Sequence, residues 1–314
     1  MTNLALVGDI GGTNSRFGLL ELGQMDVRDV EVLKNDNFKG LEAAIAHYVE
    51  KRGITELAAA AVDVAAPVDR EHIRLTNRDW TFSAESLRSA ARARRFRLLN
   101  DFEALAWSLP HIASADLVQI GGMVSDKPQV KVVLGPGTGL GMATLAPLPD
   151  GEWFPIPGEM GHVTLPVVTA EELALKDKIM GKDRFSEVED VLTGPGLFAL
   201  YKAVASSPLQ TTPEQVMRAG LDGTDPAAVK TLDHFMTFLA RLAGDAAMAL
   251  QARGGIYLAG GIAPSLAEKL KAPKYRAVFE EKGRLSEVMK HIPLYIITDP
   301  FPAFKGCAAA LNAK

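Results

Sequence analysis

One pattern occurs twice in this 314-residue chain and restricts its fold more than any other feature: a short apolar run, a glycine loop, and a second apolar run. Leu4 to Gly8 is a β-rich apolar segment, broken by Gly8, Gly11 and Gly12 before Arg16 to Leu22 resumes as a strand. Val130 to Leu134, the loop Gly135 to Gly141, and Met142 to Leu148 repeat the same grammar. In both places the loop joins two strands. A P-loop or dinucleotide fingerprint differs, because its glycines open a helix whose amino terminus meets phosphate. Two glycine-tipped hairpins predict two related lobes, and glycines that expose successive backbone N–H groups suit phosphate oxygens. Either hairpin alone is explained equally well by a tight turn.

The segments between and after the hairpins alternate in type, which predicts an α/β architecture. Leu41 to Val49 has helical apolar spacing, and Leu57 to Val64 reads as a buried strand. Ser83 is positioned to cap a helix, and Phe96 to Leu99 is a strand that delivers Asn100 and Asp101 at its carboxyl end. Asp150 to Gly161 reads as a proline-constrained loop. Helices are expected over Glu171 to Met180, from Pro195 to Ser206, and from a cap at Asp225 toward Gln251 with a break at Gly244. Ile256 to Ala259 is a strand that runs into Gly260-Gly261 and a helix over Pro264 to Leu270. Leu294 to Thr298 is the last strand and Phe304 to Leu311 the last helix, which is expected to return to the first lobe.

Composition excludes several function classes. With 47% hydrophobic and 23% charged residues, the chain can bury a large core or two ordinary ones. A net charge of −4 offers no general attraction to nucleic acid or to an anionic membrane. The basic run Arg92, Arg94, Arg95 and Arg97 reads as a solvated helix end. A single cysteine, Cys307, rules out an internal disulfide or a thiolate-rich zinc site and reads as a small buried residue. The first residues lack the features of a secretion signal, and no apolar stretch reaches membrane-spanning length, so a cytoplasmic protein is the expectation.

Several polar residues admit a chemical and a structural reading on their own. Asp101 is either a strand-end cap or a carboxylate able to take a proton from an attacking hydroxyl. Asn100 can orient a hydroxyl through its amide or serve as a turn residue. Glu159 and Glu189 can be solvated surface acids, His162 a strand cap, and Asp9 a surface loop aspartate. Thr13 and Thr138 can cap their hairpins, and turn geometry alone accounts for Gly260-Gly261. The carboxylates and His162 are far apart in sequence and form no compact metal-ligand motif.

Taken together, the ordered pieces resemble the bacterial glucokinase family, within the hexokinase, actin and heat-shock ATPase fold group. They are Leu6 to Asn14, Leu99 to Phe102, Gly135 to Gly141, Pro157 to His162, Leu192 to Leu197, and Leu258 to Ile262, spread over about 250 residues. The resemblance implies a two-lobe, ribonuclease-H-like actin/hexokinase ATPase fold with a central cleft that closes on its substrate. It places the smaller lobe at residues 1–110, completed by 300–314, and the larger at 111–299. It implies ATP, Mg2+ and glucose, transfer of phosphate to the 6-hydroxyl, and a homodimer, with neither nucleic acid nor membrane as a partner. In this scheme Asp101 is the general base, and Asn100, Glu159, His162 and Glu189 surround the sugar. Gly8, Asp9, Gly11, Gly12, Thr13 and Asn14 face the nucleotide from the first loop, Gly137, Thr138 and Gly139 from the second, and Gly260 and Gly261 pass the adenosine. Asp9 orients magnesium through water.

One departure from the family pattern is Met160, where close relatives commonly carry glycine between Glu159 and Gly161. It leaves room for a kinase of another hexose. A sugar-responsive regulator and an actin-like filament or chaperone ATPase are the other classes weighed; neither needs the Asn100-Asp101 and Glu159-His162 set.

Overall fold

The computed structural model describes residues 3–68, 70–75 and 78–313. They divide into two compact units: Met1–Ala113 with Leu148–Pro155 and Asp299–Lys314, and Ser114–Pro147 with Ile156–Thr298.

The first unit is built on a five-stranded sheet. In chain order its main elements are β1 (Leu4–Ile10), β2 (Asn14–Glu21), β3 (Arg28–Lys34), α1 (Leu41–Lys51), β4 (Leu57–Val64), α2 (Ala84–Ala90), β5 (Ala93–Asn100) and α3 (Asp101–Ser108). The strand order is β3-β2-β1-β4-β5, with β1 and β2 antiparallel around the first glycine loop and β4 parallel to both β1 and β5. The apolar run of β4 is buried almost throughout, as a central parallel strand covered on both faces requires. Ser83 caps α2 in a reciprocal pair with Ser86, each side chain accepting the other's backbone N–H.

The second unit repeats the arrangement with more strands: β6 (Leu117–Gln119), β7 (Lys131–Pro136), β8 (Leu140–Pro147), β9 (Trp153–Gly158, of which 153–155 fall in the first unit's stretch), α4 (Ala170–Met180), α5 (Gly194–Val204), α6 (Pro213–Asp222), α7 (Pro226–Ala249), β10 (Ile256–Leu258), α8 (Pro273–Glu280) and β11 (Leu294–Ile297). The sheet order is β9-β8-β7-β10-β11-β6. Here β7 and β8 form the antiparallel glycine hairpin and β10 lies parallel to β7, the same relation that β1, β2 and β4 show. The last helix, α9 (Pro302–Asn312), belongs to the first unit and packs through Phe304, Cys307 and Ala308 into a core with Val7, Leu99 and Trp107.

Three expectations need correction. The proline-rich Asp150 to Gly161 stretch contains strand β9 rather than loop alone. Its Pro155 and Pro157 fall on alternate positions of an edge strand, where missing N–H groups can point away from the ladder. Helix α7 does not break at Gly244. A Cβ there would stand 2.4 Å from the Phe279 carbonyl, so the glycine serves close approach of α8 to an unbroken helix. The arginine run is a solvated helix end only at Arg92, which follows the cap of α2; Arg94, Arg95 and Arg97 lie on β5, with Arg94 and Arg95 exposed. Arg92 donates to the Ile54 carbonyl at 2.7 Å, Arg94 pairs with Glu56, and Arg97 reaches the Ala310 carbonyl while lying over the Trp107 ring.

Candidate active site

In the first unit, three carboxylates collect at the carboxyl ends of adjacent strands. Asp9 is near the end of β1 and Asp63 near the end of β4, directly opposite it in register. Asp101 begins α3, immediately after β5. Asn100 makes that helix start: its carbonyl oxygen accepts from the N–H of Phe102 at 2.9 Å and of Glu103 at 3.3 Å, and its amide donates to Ala66 O at 3.3 Å. Asn100 thus acts as a helix cap rather than a turn residue, and an amide with two N–H groups still has one to offer a hydroxyl.

Asp101 Oδ1 accepts from Phe102 N–H at 3.0 Å. Burial pushes its carboxyl up to about 6, with the Asp9 charge adding to the effect and the Phe102 N–H opposing it. Such a carboxylate is still ionised near neutrality, yet more basic than a solvated aspartate. Asp9 is three-quarters enclosed and accepts from Arg16 Nη1 at 2.9 Å. Burial raises its pKa and the guanidinium opposes the rise.

The first glycine loop is held from behind. The buried Asn35 amide donates to Gly11 O at 2.8 Å and Gly12 O at 3.2 Å, and its backbone N–H donates to Thr13 O at 2.9 Å. With the loop carbonyls occupied this way, Gly12 and Thr13 remain exposed, which suits an anion. Gly8 precedes this loop. It is buried inside β1, where a Cβ would meet the Phe17 ring at 3.0 Å and Val62 at 3.2 Å, so it is a packing glycine.

In the second unit, Gly137 N–H donates to Gly139 O at 2.7 Å and Gly137 O accepts from Gly194 N–H at 2.8 Å; Thr138 stays exposed at the tip. Gly260 adopts φ +78°, and a Cβ on it would stand 2.7 Å from Pro136 O, so it lies against the end of β7. Gly261 faces open space. Exposed Glu159 precedes the short turn Met160–His162, and Met160 packs against the core of this unit. His162 Nδ1 lies 3.1 Å from Glu187 Oε2. That carboxylate, aided by the Glu189 and Glu159 charges, raises the imidazole's pKa.

His162, Glu187 and Glu189, scattered in the sequence, are brought together, with one potential ligand atom of each within 4.8 Å of the others. Two of these groups are already engaged by protein: Nδ1 of His162 by Glu187, and Oε1 of Glu189 by the Leu140 N–H at 2.7 Å.

The chain matches the glucokinase family model over residues 6–314. The chain belongs to the glucokinase family. It is 36% identical to a glucokinase of Marinobacter nauticus over 98% of this chain and 97% of the relative. To a glucokinase of Chromohalobacter salexigens it is 37% identical, over 99% and 98%. The crystal structure of a glucokinase from an Antarctic psychrotroph matches with a TM-score of 0.89 at 29% identity, covering 99% of each chain. The fold is thus the two-unit α/β actin/hexokinase ATPase fold, with mixed sheets flanked by helices.

Within this glucokinase fold, three residues escape sequence reasoning. Asn35 sits in a polar stretch without apolar pattern, and its hold on the first loop arises only from folding. Glu187 lies in a segment read for Glu189 alone. Asp63 did leave a signal, being a lone acid near the end of an otherwise apolar strand. It is 1% exposed, Cys307 Sγ–H donates to its Oδ2 at 3.4 Å, and Oδ1 has no hydrogen-bond partner among the described residues. Burial, with Asp9 and Asp101 adding their charges, pushes its pKa well above the carboxylate range. Burial next to Asp63 likewise raises the pKa of the Cys307 thiol.

Proposed function

We propose that this chain transfers the γ-phosphoryl group of ATP to the 6-hydroxyl of glucose, yielding glucose 6-phosphate and ADP, with Asp101 as general base. The observation that carries this reading is the Asp101 carboxylate, fixed at the start of α3 and pushed up to about 6. Phosphoryl transfer asks the protein mainly for alignment and charge stabilisation. Asp101 accepts the proton as the sugar oxygen attacks, and the remaining N–H of Asn100 orients a hydroxyl. Glu159, His162 and Glu189 supply complementary acceptors and donors for the other hydroxyls.

The exposed tips of the two loops, Gly12-Thr13 and Thr138, face the phosphates, with the Gly11 and Gly137 N–H groups holding the turns by donating to Asn14 O and Gly139 O, and Gly260-Gly261 lies along the nucleoside. Asp9 fits a role in holding magnesium through water, since it is a hard, partly enclosed carboxylate and Arg16 takes one of its oxygens. Bound with ATP, magnesium would neutralise phosphate charge. In this division of labour the smaller lobe, residues 1–110 and 300–314, carries the base, and the larger, 111–299, carries the other sugar anchors. A homodimer is part of the proposal, and light scattering of the purified protein tests it. Among the described residues no helix is long and apolar enough to cross a membrane.

A panel of neutral sugars with ATP, read as phosphorylated product, tests the substrate. Preference for mannose or fructose over glucose would transfer the assignment to another hexose, with Met160 the first residue to revert to glycine. The pH dependence is a second check. The base works unprotonated, so kcat/KM for glucose is expected to fall about tenfold per pH unit below about 6 and to level off above it. A rate flat down to pH 4.5 would remove Asp101 from the role.

Glu187 gives a smaller expected effect. Its carboxylate fixes which imidazole nitrogen of His162 is left for the sugar. Both side chains are partly exposed, so Glu187→Gln should raise KM for glucose only about two- to fivefold and leave kcat near the parent value. An unchanged KM would show that His162 needs no such orientation.

A further inference from the structure

Glu189 is placed so that it serves more than a sugar. Its segment is tied on one side to the chain that follows His162: Leu165 N–H donates to Ser186 O at 2.9 Å, Val188 N–H donates to Val163 O at 3.0 Å, and Thr164 bridges to Glu187. On the other side, Thr193 Oγ donates to Glu189 O at 2.9 Å and Gly194 N–H donates to Gly137 O at 2.8 Å, which joins the segment to the second glycine loop.

The side chain closes the same connection. Glu189 Oε1 accepts at 2.7 Å from the N–H of Leu140, the first residue after that loop. The oxygen is wedged between two glycines. A Cβ on Gly139 would lie 2.8 Å from it and one on Gly161 2.7 Å from it, so neither position admits a side chain without displacing the carboxylate. Thus one carboxylate oxygen touches both the loop that carries Gly137 to Gly139 and the turn that carries His162.

We infer that Glu189 is a positioning residue for the nucleotide, holding the Gly137–Gly139 loop in its phosphate-receiving shape even when no sugar is bound. The inference rests on the reading of that loop as a phosphate site. A charge-assisted hydrogen bond to the amide at the loop's exit fixes where β8 begins, and with it the direction of the loop N–H groups. The other carboxylate oxygen is then the one left for a sugar hydroxyl.

Binding of ADP with Mg2+ to the sugar-free protein, measured by titration calorimetry, separates this role from sugar contact. Glu189→Gln keeps an acceptor oxygen for Leu140 and should bind ADP within about twofold of the parent, whereas Glu189→Ala should bind it about 5- to 10-fold more weakly. Both should bind glucose more weakly. Exchange of the Leu140 amide should accelerate in the alanine variant and not in the glutamine variant.

ADP binding in folded Glu189→Ala equal to the parent's overturns the inference and leaves the kinase reading intact. Tighter binding in both variants also overturns it, since the carboxylate would then be repelling phosphate. If the alanine variant does not fold, Glu189→Asp carries the test: shortening by one methylene withdraws the oxygen from Leu140, and unaltered ADP affinity there has the same meaning. Loss of the kinase reading would appear elsewhere, as a parent protein that binds ADP but phosphorylates no sugar.

Discussion

Asp101→Asn is expected to lower kcat for glucose phosphorylation by about 10² to 10⁴ while leaving the fold intact. Asparagine has the same shape and keeps a carbonyl oxygen for the Phe102 N–H that Asp101 now accepts. What it cannot do is take a proton. Stability at pH 7 should stay level or rise slightly, because burial and the Asp9 charge disfavour the ionised carboxylate in the folded protein. The sign follows from a folded pKa raised above the unfolded one, so that ionisation at neutral pH works against the native state and its removal cannot weaken it. Glucose affinity, measured by calorimetry without nucleotide, should change little. Loss of turnover without loss of stability or sugar binding is the signature of a general base. A folded variant with nearly full turnover would mean that the proton leaves by another route and that Asp101 is only the first residue of a helix.

The contrast between Asp101 and its neighbours shows what could be read from the chain and what could not. β4 was legible because a central parallel strand must be apolar on both faces, and Leu57–Val64 is, save for Asp63. Both glycine hairpins were legible because two apolar runs flank each loop closely enough to leave the chain no other course. β3 was not, since Arg28–Lys34 is a mostly exposed edge strand without an apolar face to give it a period. Helix α3 left a weaker signal than the strand that precedes it, because it is only eight residues long, although Asn100 is an ordinary cap residue with a short apolar helix behind it. The site divides in the same way. Asn100, Asp101, Glu159 and His162 sit in local motifs, whereas the work of Asn35, Asp63 and Glu187 is defined by partners distant in sequence. Local pattern carries no information about such pairs.

The second large effect is expected at a residue with no side chain, Gly306. In α9 this glycine faces α3 so closely that a Cβ would stand 1.7 Å from the Ala104 carbonyl oxygen. The obstacle is helix backbone and cannot rotate aside as a side chain might. Gly306→Ala should therefore force the two helices apart and cost about 3 kcal/mol, the upper end of overpacking penalties, which lowers the unfolding midpoint by roughly 6–12 °C. Catalysis should suffer as well, because α3 begins at Asp101 and Cys307, the next residue of α9, contacts the Gly8 carbonyl and Asp63. Moving α9 disturbs the contacts of Cys307 with the strands that carry Asp9 and Asp63.

Gly53→Ala makes a useful comparison, since its Cβ would meet open space and only its φ of +63° opposes the change, at about 1–2 kcal/mol and with turnover unaffected. If Gly306→Ala instead matched Gly53→Ala in both midpoint and turnover, α3 would be free to shift without consequence. The position of Asp101 would then owe little to the helix packed behind it and much more to the Asn100 cap and the end of β5.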